Sequence, residues 1–234
     1  MSGSVPSPSP PAPAAAVLVF AKAPEPGRVK TRMCPPLSLS EAASFYASML
    51  EDVLEATAAY AKRLGLDAVL CLDSPVGSAA LPFVVPALFT VEPQRGSGLA
   101  ARMDSALQAA FERGARRVLL RGSDTPTLSQ EHLEEALSAL EAHEFVVSPG
   151  LDGGYGLVGF SSFRPGLLDV PMSTGTVCEE TLARARAWGV RGASVSPCFD
   201  LDSWEDLAEL EAVRRQPAAL LCPRTLAFLE ARGG

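Results

Sequence analysis

The stretch VLLRGSDTPTL at 118–128 does more than any other to limit what this chain can become. Val118, Leu119 and Leu120 form an apolar run between Arg117 and Arg121. A short run of this kind, closed by Gly122 and then Pro126, predicts a buried strand of an α/β sheet. The chain then places Gly122, Ser123 and Asp124 just past the strand's carboxyl end, where open parallel sheets bind ligands. A carboxylate there can hold a hard cation such as Mg²⁺ or cap the next helix. Thr127 and Gln130 read as a T-x-x-Q capping box for that helix. Asp124 is then not needed as a cap and reads as a metal or substrate ligand. The competing reading is a structural turn aspartate.

A second apolar run, Ala16–Phe20, predicts the first strand, near the sheet centre. The segment from Ala21 to Arg32 follows it, with Pro24, Pro26 and Gly27 interrupting any regular structure. Lys22, Arg28, Lys30 and Arg32 lie in this loop and offer charge and donors to phosphate, while Gly27 lets backbone approach a ligand. The chain is acidic overall, with a net charge of −7, so a local cluster of cations favours anion binding over a solvated basic loop. The G-x-x-x-x-G-K spacing of a phosphate-binding P-loop is absent.

Ser38 and Glu41 form an S-x-x-E box that opens a long amphipathic helix, which Gly65 ends. Phe45, Tyr46, Met49, Val53 and Leu54 read as core on that helix. Ala68–Leu72 predicts a strand ending at Asp73, and Leu88–Val91 predicts another. Gln94-Arg-Gly-Ser-Gly98 leads into a helix over Leu99–Arg113, and Arg102 sits one turn in, within reach of a phosphate or facing solvent. Further on come a helix over Gln130–His143, a strand at Phe145–Ser148 and another at Tyr155–Phe160. Between those strands, Asp152, Gly153, Gly154 and Tyr155 imply tight backbone beside a ligand, or a simple hairpin turn. Thr176 and Glu179 predict a capping box for a helix to Trp188. Ala193–Pro197 predicts a short strand, and a terminal helix is expected over Arg224–Arg232.

Ser203 and Asp206 read as the start of a helix, which leaves Asp200 and Asp202 spare. In extended chain their carboxylates lie on one face, and two like charges held together call for a cation. His132 and His143 are expected to face solvent and have no identifiable nucleophile partner, so a catalytic triad is disfavoured.

The bulk numbers exclude several classes. A pI near 5.0 argues against a nucleic-acid polymer as partner. Five scattered cysteines without C-x-x-C spacing suggest neither a zinc site nor a disulfide framework, and fit a reduced, cytoplasmic protein. No apolar run reaches the length of a membrane span. Residues 1–14 read as a disordered Pro/Ser/Ala-rich tail, and 15–234 as one domain.

Four segments, FAKAPEPGRVKTR, GSDTPTL, DGGYGLVGF and DLDSWEDL, fall in that order across residues 20–207. Together they resemble the bacterial DUF2064 family, also described as glycosyltransferase-A-like or selenodomain-associated transferase 1. They are more distantly similar to guanylyltransferases of deazaflavin and molybdenum cofactor synthesis. The resemblance implies a three-layer α/β/α sandwich with a mostly parallel central sheet, of the nucleotide-diphospho-sugar transferase type. It implies Lys22, Lys30 and Arg32 on nucleotide phosphates. Asp124, Asp200 and Asp202 would hold Mg²⁺ (or Mn²⁺), and Asp152, Gly153, Gly154 and Tyr155 would form the acceptor-side loop. Two departures stand out: QRGSGLAARM replaces a Q-G-x-G-D-L-G-x-R-M pattern, and Met172 replaces a Trp.

The expected activity is a Mg²⁺-dependent transfer from a nucleotide-activated donor to a small acceptor, with Asp124 and Lys30 carrying the chemistry. Glycosyl transfer from a nucleotide sugar is the first expectation, by family name. Nucleotidyl transfer from a nucleoside triphosphate to a phosphorylated acceptor is the second, and a non-catalytic nucleotide-binding protein the third.

Overall fold

In a computed structural model, residues 15–74, 76–171, 175–208, 210 and 221–233 are described. The tail at 1–14 and the Met172–Thr174 segment, with its Met-for-Trp departure, lie outside them. The strands are β1 (Ala15–Lys22), β2 (Asp67–Asp73), β3 (Phe89–Pro93), β4 (Arg117–Gly122), β5 (Phe145–Pro149), β6 (Tyr155–Phe160) and β7 (Gly192–Ser194). They form a sheet in the order β3-β2-β1-β4-β6-β5-β7. β1 pairs in parallel with β2 and β4, and β6 runs antiparallel to both β4 and β5. The mostly parallel sheet is as expected.

Strand β1 is apolar up to its last residue, Lys22, because both of its faces are covered. Val17, Val19 and Ala21 pack on one side with α1 (Leu39–Leu64) and α3 (Gln130–Ala139). Leu18 and Phe20 pack on the other with Met103 and Leu107 of α2 (Leu99–Glu112) and Cys178 and Ala185 of α4 (Val177–Ala187). The period-2 alternation of one strand thus builds two cores and the three layers.

α1 begins and ends where its sequence says. The Ser38 hydroxyl accepts from Glu41 N, and the Glu41 carboxylate accepts from Ser38 N at 2.8 Å. Gly65 closes the helix with φ 66°. Two other caps differ from expectation. Thr127 does not cap α3; Ser129 does, with His132 at the third helical position accepting from Ser129 N. The Thr125–Leu128 turn, closed by Leu128 N–H to Thr125 O, buries Leu128 and delays the helix until Gln130. His132 is therefore half-buried rather than solvent-facing, and its Nε2 lies 3.2 Å from Pro197 O. His143 is likewise half-buried against Ala139 O. At α4, Thr176 is the N-cap but makes no side-chain cap bond; its hydroxyl donates to Glu180 instead of forming a box with Glu179.

The last helix, α5 (Pro223–Gly233), docks on α1, with Phe228 edge-on to Phe45 at 5.4 Å. Its N-terminus is capped from another helix. Buried Asp52 of α1 accepts from Arg224 N at 3.2 Å, and from Thr225 N and Oγ1 at 2.8 Å each. Pro223 occupies the first turn, where its missing N–H costs nothing. Asp52→Ala leaves the amide and hydroxyl of Thr225 buried without acceptors. It should cost about 2–4 kcal/mol in urea unfolding. A loss below about 1 kcal/mol would mean that water already satisfies these groups in the folded protein.

Candidate functional site

The strand order reverses between β1 and β4, and ligands of open α/β sheets sit in the crevice at such a switch point. Lys22 ends β1 here and Gly122 ends β4. Tyr46, reaching up from α1, ties the two ends together. Its hydroxyl accepts from Lys22 N at 3.1 Å and lies 2.8 Å from Ser123 Oγ. A buried tyrosine hydroxyl needs a partner, so this core residue also shapes the site.

The loop after β1 is a folded strap. Glu25-Pro26-Gly27-Arg28 is a tight turn with Arg28 N–H donating to Glu25 O. Pro26 and a φ of 79° at Gly27 match a type II turn, which accounts for that glycine; it does not line the cavity. Lys30 follows with φ 47°, and a short 3-10 turn over Thr31–Met33 carries the chain on to α1.

Beyond β4, Asp124 is held from two sides. Leu201 N–H donates to Asp124 O at 2.8 Å, which carries the Asp200–Asp202 segment to the end of β4. From behind, the fully buried Arg121 donates to Thr125 O at 2.6 Å and Thr57 Oγ1 at 3.0 Å. Burial lowers the Arg121 pKa to about 10, still far above neutrality. Gly156 of β6 passes so close that a Cβ there would overlap Thr125 Cγ2 and Cys198 Sγ.

The centre of the site is one ammonium among carboxylates. Lys30 Nζ binds Asp124, and donates to Asp202 Oδ1 at 2.6 Å with its side chain only 3% exposed. Burial alone would drive its proton off; Asp124 and Asp202 more than reverse this and keep it charged. Asp200 is pushed up to about 7 by burial, then by Asp124, Asp202 and Asp152, with Lys30 opposing. The structure thus brings Asp124, Lys30 and Asp202 into contact and Asp200 into their field. Hard oxygen donors with uncompensated negative charge fit a divalent cation chemically. Among the described residues, however, no three such side chains stand at ligand spacing, because two are turned to Lys30.

A cavity of about 570 Å³ opens beside this cluster. Lys22, Arg28, Lys30, Arg32 and Arg102 line it, with Phe20, Leu99 and Met103 supplying an apolar wall. Arg102 Nη1 is paired with Asp73 at 2.9 Å, and Arg28 lies 3.8 Å from the same carboxylate, so Asp73 organises the basic rim. Gln94 Nε2 donates to Ala21 O at 3.0 Å and Cys71 O at 2.9 Å, fixing the QRGSG segment across the ends of β1 and β2. Tyr155 also lines the cavity, and its buried hydroxyl has no partner among the described residues.

Asp152, Gly153 and Gly154 form the turn between antiparallel β5 and β6, as the hairpin reading has it. Asp152 accepts from Gly154 N at 2.9 Å and faces a second cleft of about 270 Å³, lined also by Arg32, Asp200 and Asp202. Gly153 O accepts from Cys178 N at 3.0 Å. Reading the sequence alone passes over Tyr46 and Gln94 as site residues, and leaves Asp73 between a site-facing and a turn reading. The available signals were a tyrosine hydroxyl on a core stripe and polar residues ending three strands.

Fold and site together define a protein of the nucleotide-diphospho-sugar transferase fold. The chain belongs to the DUF2064 family, described as uncharacterized protein conserved in bacteria, whose pattern matches residues 56–174. It is 31% identical over 211 residues to a 3-phospho-D-glycerate guanylyltransferase of Phenylobacterium zucineum (strain HLK1), covering 87% of this chain and 92% of that one. A provisionally assigned nucleotide-diphospho-sugar transferase from Desulfovibrio desulfuricans G20 superposes with TM-score 0.77 at 28% identity, covering 94% of this chain and 98% of that one. The 4-diphosphocytidyl-2C-methyl-D-erythritol synthase of Anaerococcus prevotii DSM 20548 shares the fold at TM-score 0.51 and 12% identity, covering 87% and 100% of the two chains. No helix among the described residues is long and apolar enough to cross a membrane.

Proposed function

We propose that the protein is a nucleotidyltransferase that joins a nucleoside triphosphate to the phosphate of a small phosphorylated acid and releases pyrophosphate. The observation that carries this reading is the Lys30–Asp124–Asp202 cluster, with Asp200 in its field, at the floor of a basic-rimmed cavity. A cavity of about 570 Å³ lies within the usual range for small-molecule sites, about 300–1,000 Å³. The guanylyltransferase relative supports guanosine triphosphate as the first donor to try and 3-phosphoglycerate as the first acceptor.

In this reading Phe20, Leu99 and Met103 take the base, and Lys22, Arg28, Arg32 and Arg102 hold phosphates. An acceptor phosphate oxygen attacks the α-phosphorus. The new P–O bond forms as the bond from the α-phosphorus to the bridging oxygen breaks, and the electron pair leaves with pyrophosphate. Lys30 and the basic rim stabilise the charge that moves onto the leaving group. A bound Mg²⁺ (or Mn²⁺) would add to that neutralisation, held by Asp124, Asp200 and Asp202. The Tyr155 hydroxyl is free to donate to a substrate, and Asp152 borders the acceptor cleft. No covalent nucleophile is required.

Glycosyl transfer from a nucleotide sugar is the second reading, favoured by the Desulfovibrio relative's assignment. One assay separates them. The protein is incubated with Mg²⁺, guanosine triphosphate and 3-phosphoglycerate, and in parallel with nucleotide sugars and sugar or phosphate acceptors. Pyrophosphate and a guanylylated product are expected from the first mixture. Nucleoside diphosphate released only from the second would reject nucleotidyl transfer. Nucleotide binding with no turnover in any mixture would leave a non-catalytic binding protein.

A further inference from the structure

Lys30 is the only non-glycine residue with positive φ among the described residues. A lysine in the left-handed region costs on the order of 1 kcal/mol or more and persists only where the surroundings enforce it. Here Met33 N–H donates to Lys30 O at 3.0 Å, and the side chain is drawn under the strap to lie 5.9 Å from the Tyr46 ring centroid. Its ammonium is then fastened to Asp124, from mid-chain, and Asp202, from near the other end. Those are two of the three carboxylates that would hold a divalent ion, and the ammonium occupies one oxygen of each, so it competes with an ion for them. An ammonium that gives up its carboxylates has somewhere to go: Lys30 also lines the basic-rimmed cavity.

We propose that Lys30 is an exchangeable internal cation: it closes the Asp124–Asp202 pair in the free protein and moves to the donor phosphates when a divalent ion arrives with the nucleotide. This rests on the nucleotide-transferase reading for where the ammonium goes, and on the contacts alone for what it blocks. It follows that the ion binds the free protein weakly, and that ion and nucleotide reinforce one another's binding. Where a competing closed state dominates, apparent affinity falls by the fraction of open protein.

The test is Mn²⁺ titration of the nucleotide-free protein, read by the electron paramagnetic resonance signal of unbound Mn²⁺. Lys30→Met removes the ammonium at nearly constant length and should bind Mn²⁺ at least about tenfold more tightly than wild type, as expected if the closed state outweighs the open one by that factor. Lys30→Gln carries the same expectation and replaces Lys30→Met should that variant not fold. Lys30→Arg, which keeps a cation, should stay near wild type. Equal or weaker Mn²⁺ binding by the folded uncharged variants overturns the proposal. So does wild-type protein that binds Mn²⁺ with a dissociation constant below about 100 μM without nucleotide, since a closed pair should hold the ion far more weakly than an open hard-oxygen site. Both arms omit nucleotide, so they judge Lys30 independently of whether any nucleotide reacts.

Discussion

Asp124→Asn should lower the proposed guanylyl transfer by about 10³-fold or more while leaving the fold intact, because in that reading the carboxylate holds a divalent ion against the reacting phosphates and takes no part in packing. The side chain is 39% exposed, and the turn that presents it is fastened through backbone. Leu201 N–H holds Asp124 O, and Arg121 holds Thr125 O; neither bond uses the carboxylate. Lys30 retains Asp202 in the variant. Removing one negative charge also relieves Asp200, since Asp124 is the charged neighbour that raises its pKa most. A thermal midpoint within about 3 °C of wild type is therefore expected, equivalent to roughly 1 kcal/mol for a chain of this size. The measurements are initial rates of pyrophosphate release and a melting curve on the same preparation. A stable variant that retains a tenth or more of the activity would remove Asp124 from the chemistry. Large destabilisation would return it to the role of a structural turn aspartate.

Much of the scaffold was legible because it is written in local chemistry. The ends of α1 follow from Ser38, Glu41 and Gly65, and β6 falls where its apolar run does. The location of the site was legible for the same reason: Lys22 and Asp124 each follow an apolar strand. What could not be read is which distant groups meet. Lys30 and Asp202 are separated by 172 positions, as are Asp52 and Arg224, and nothing local distinguishes these aspartates from solvated ones. Lys30 was expected to face phosphate; only the packed chain reveals that the carboxylates hold it first. The sequence points to Thr127 as the cap; Ser129 takes that place because the turn that buries Leu128 delays the helix. Arg121 ends an apolar run and reads as a flanking charge, yet it is fully buried because the next turn offers it a carbonyl and α1 a hydroxyl acceptor.

The Asp200 carboxyl links the site to stability. Its pKa in the folded protein is about 7, against an ordinary value of 3.8. Burial is the largest cause, and the neighbouring carboxylates add to it. A carboxyl raised in this way binds its proton more tightly folded than unfolded. The folded state is then unaffected below the unfolded pKa, and loses stability as pH rises from about 4 through about 7, once the unfolded chain has ionised and the folded one resists. A shift of this size corresponds to about 2–4 kcal/mol at pH 8, allowing for solvent at a partly buried group. Asp200→Asn places a neutral amide where the folded protein would hold a neutral acid. It should therefore raise the metal-free melting temperature by roughly 5–10 °C at pH 8 and change it little at pH 5. Activity should fall at both pH values, because the amide no longer offers a charged ligand. A melting curve with chelator present, run across pH 5–8, reads the effect directly. If Asp200→Asn gives the same midpoint shift at both ends of that range, the carboxylate is already ionised at pH 5, and the acidic cluster is less crowded than its geometry implies. If the gain at pH 8 vanishes on adding Mn²⁺, the ion is bound through the ionised Asp200 carboxylate and supplies the charge that Lys30 alone does not.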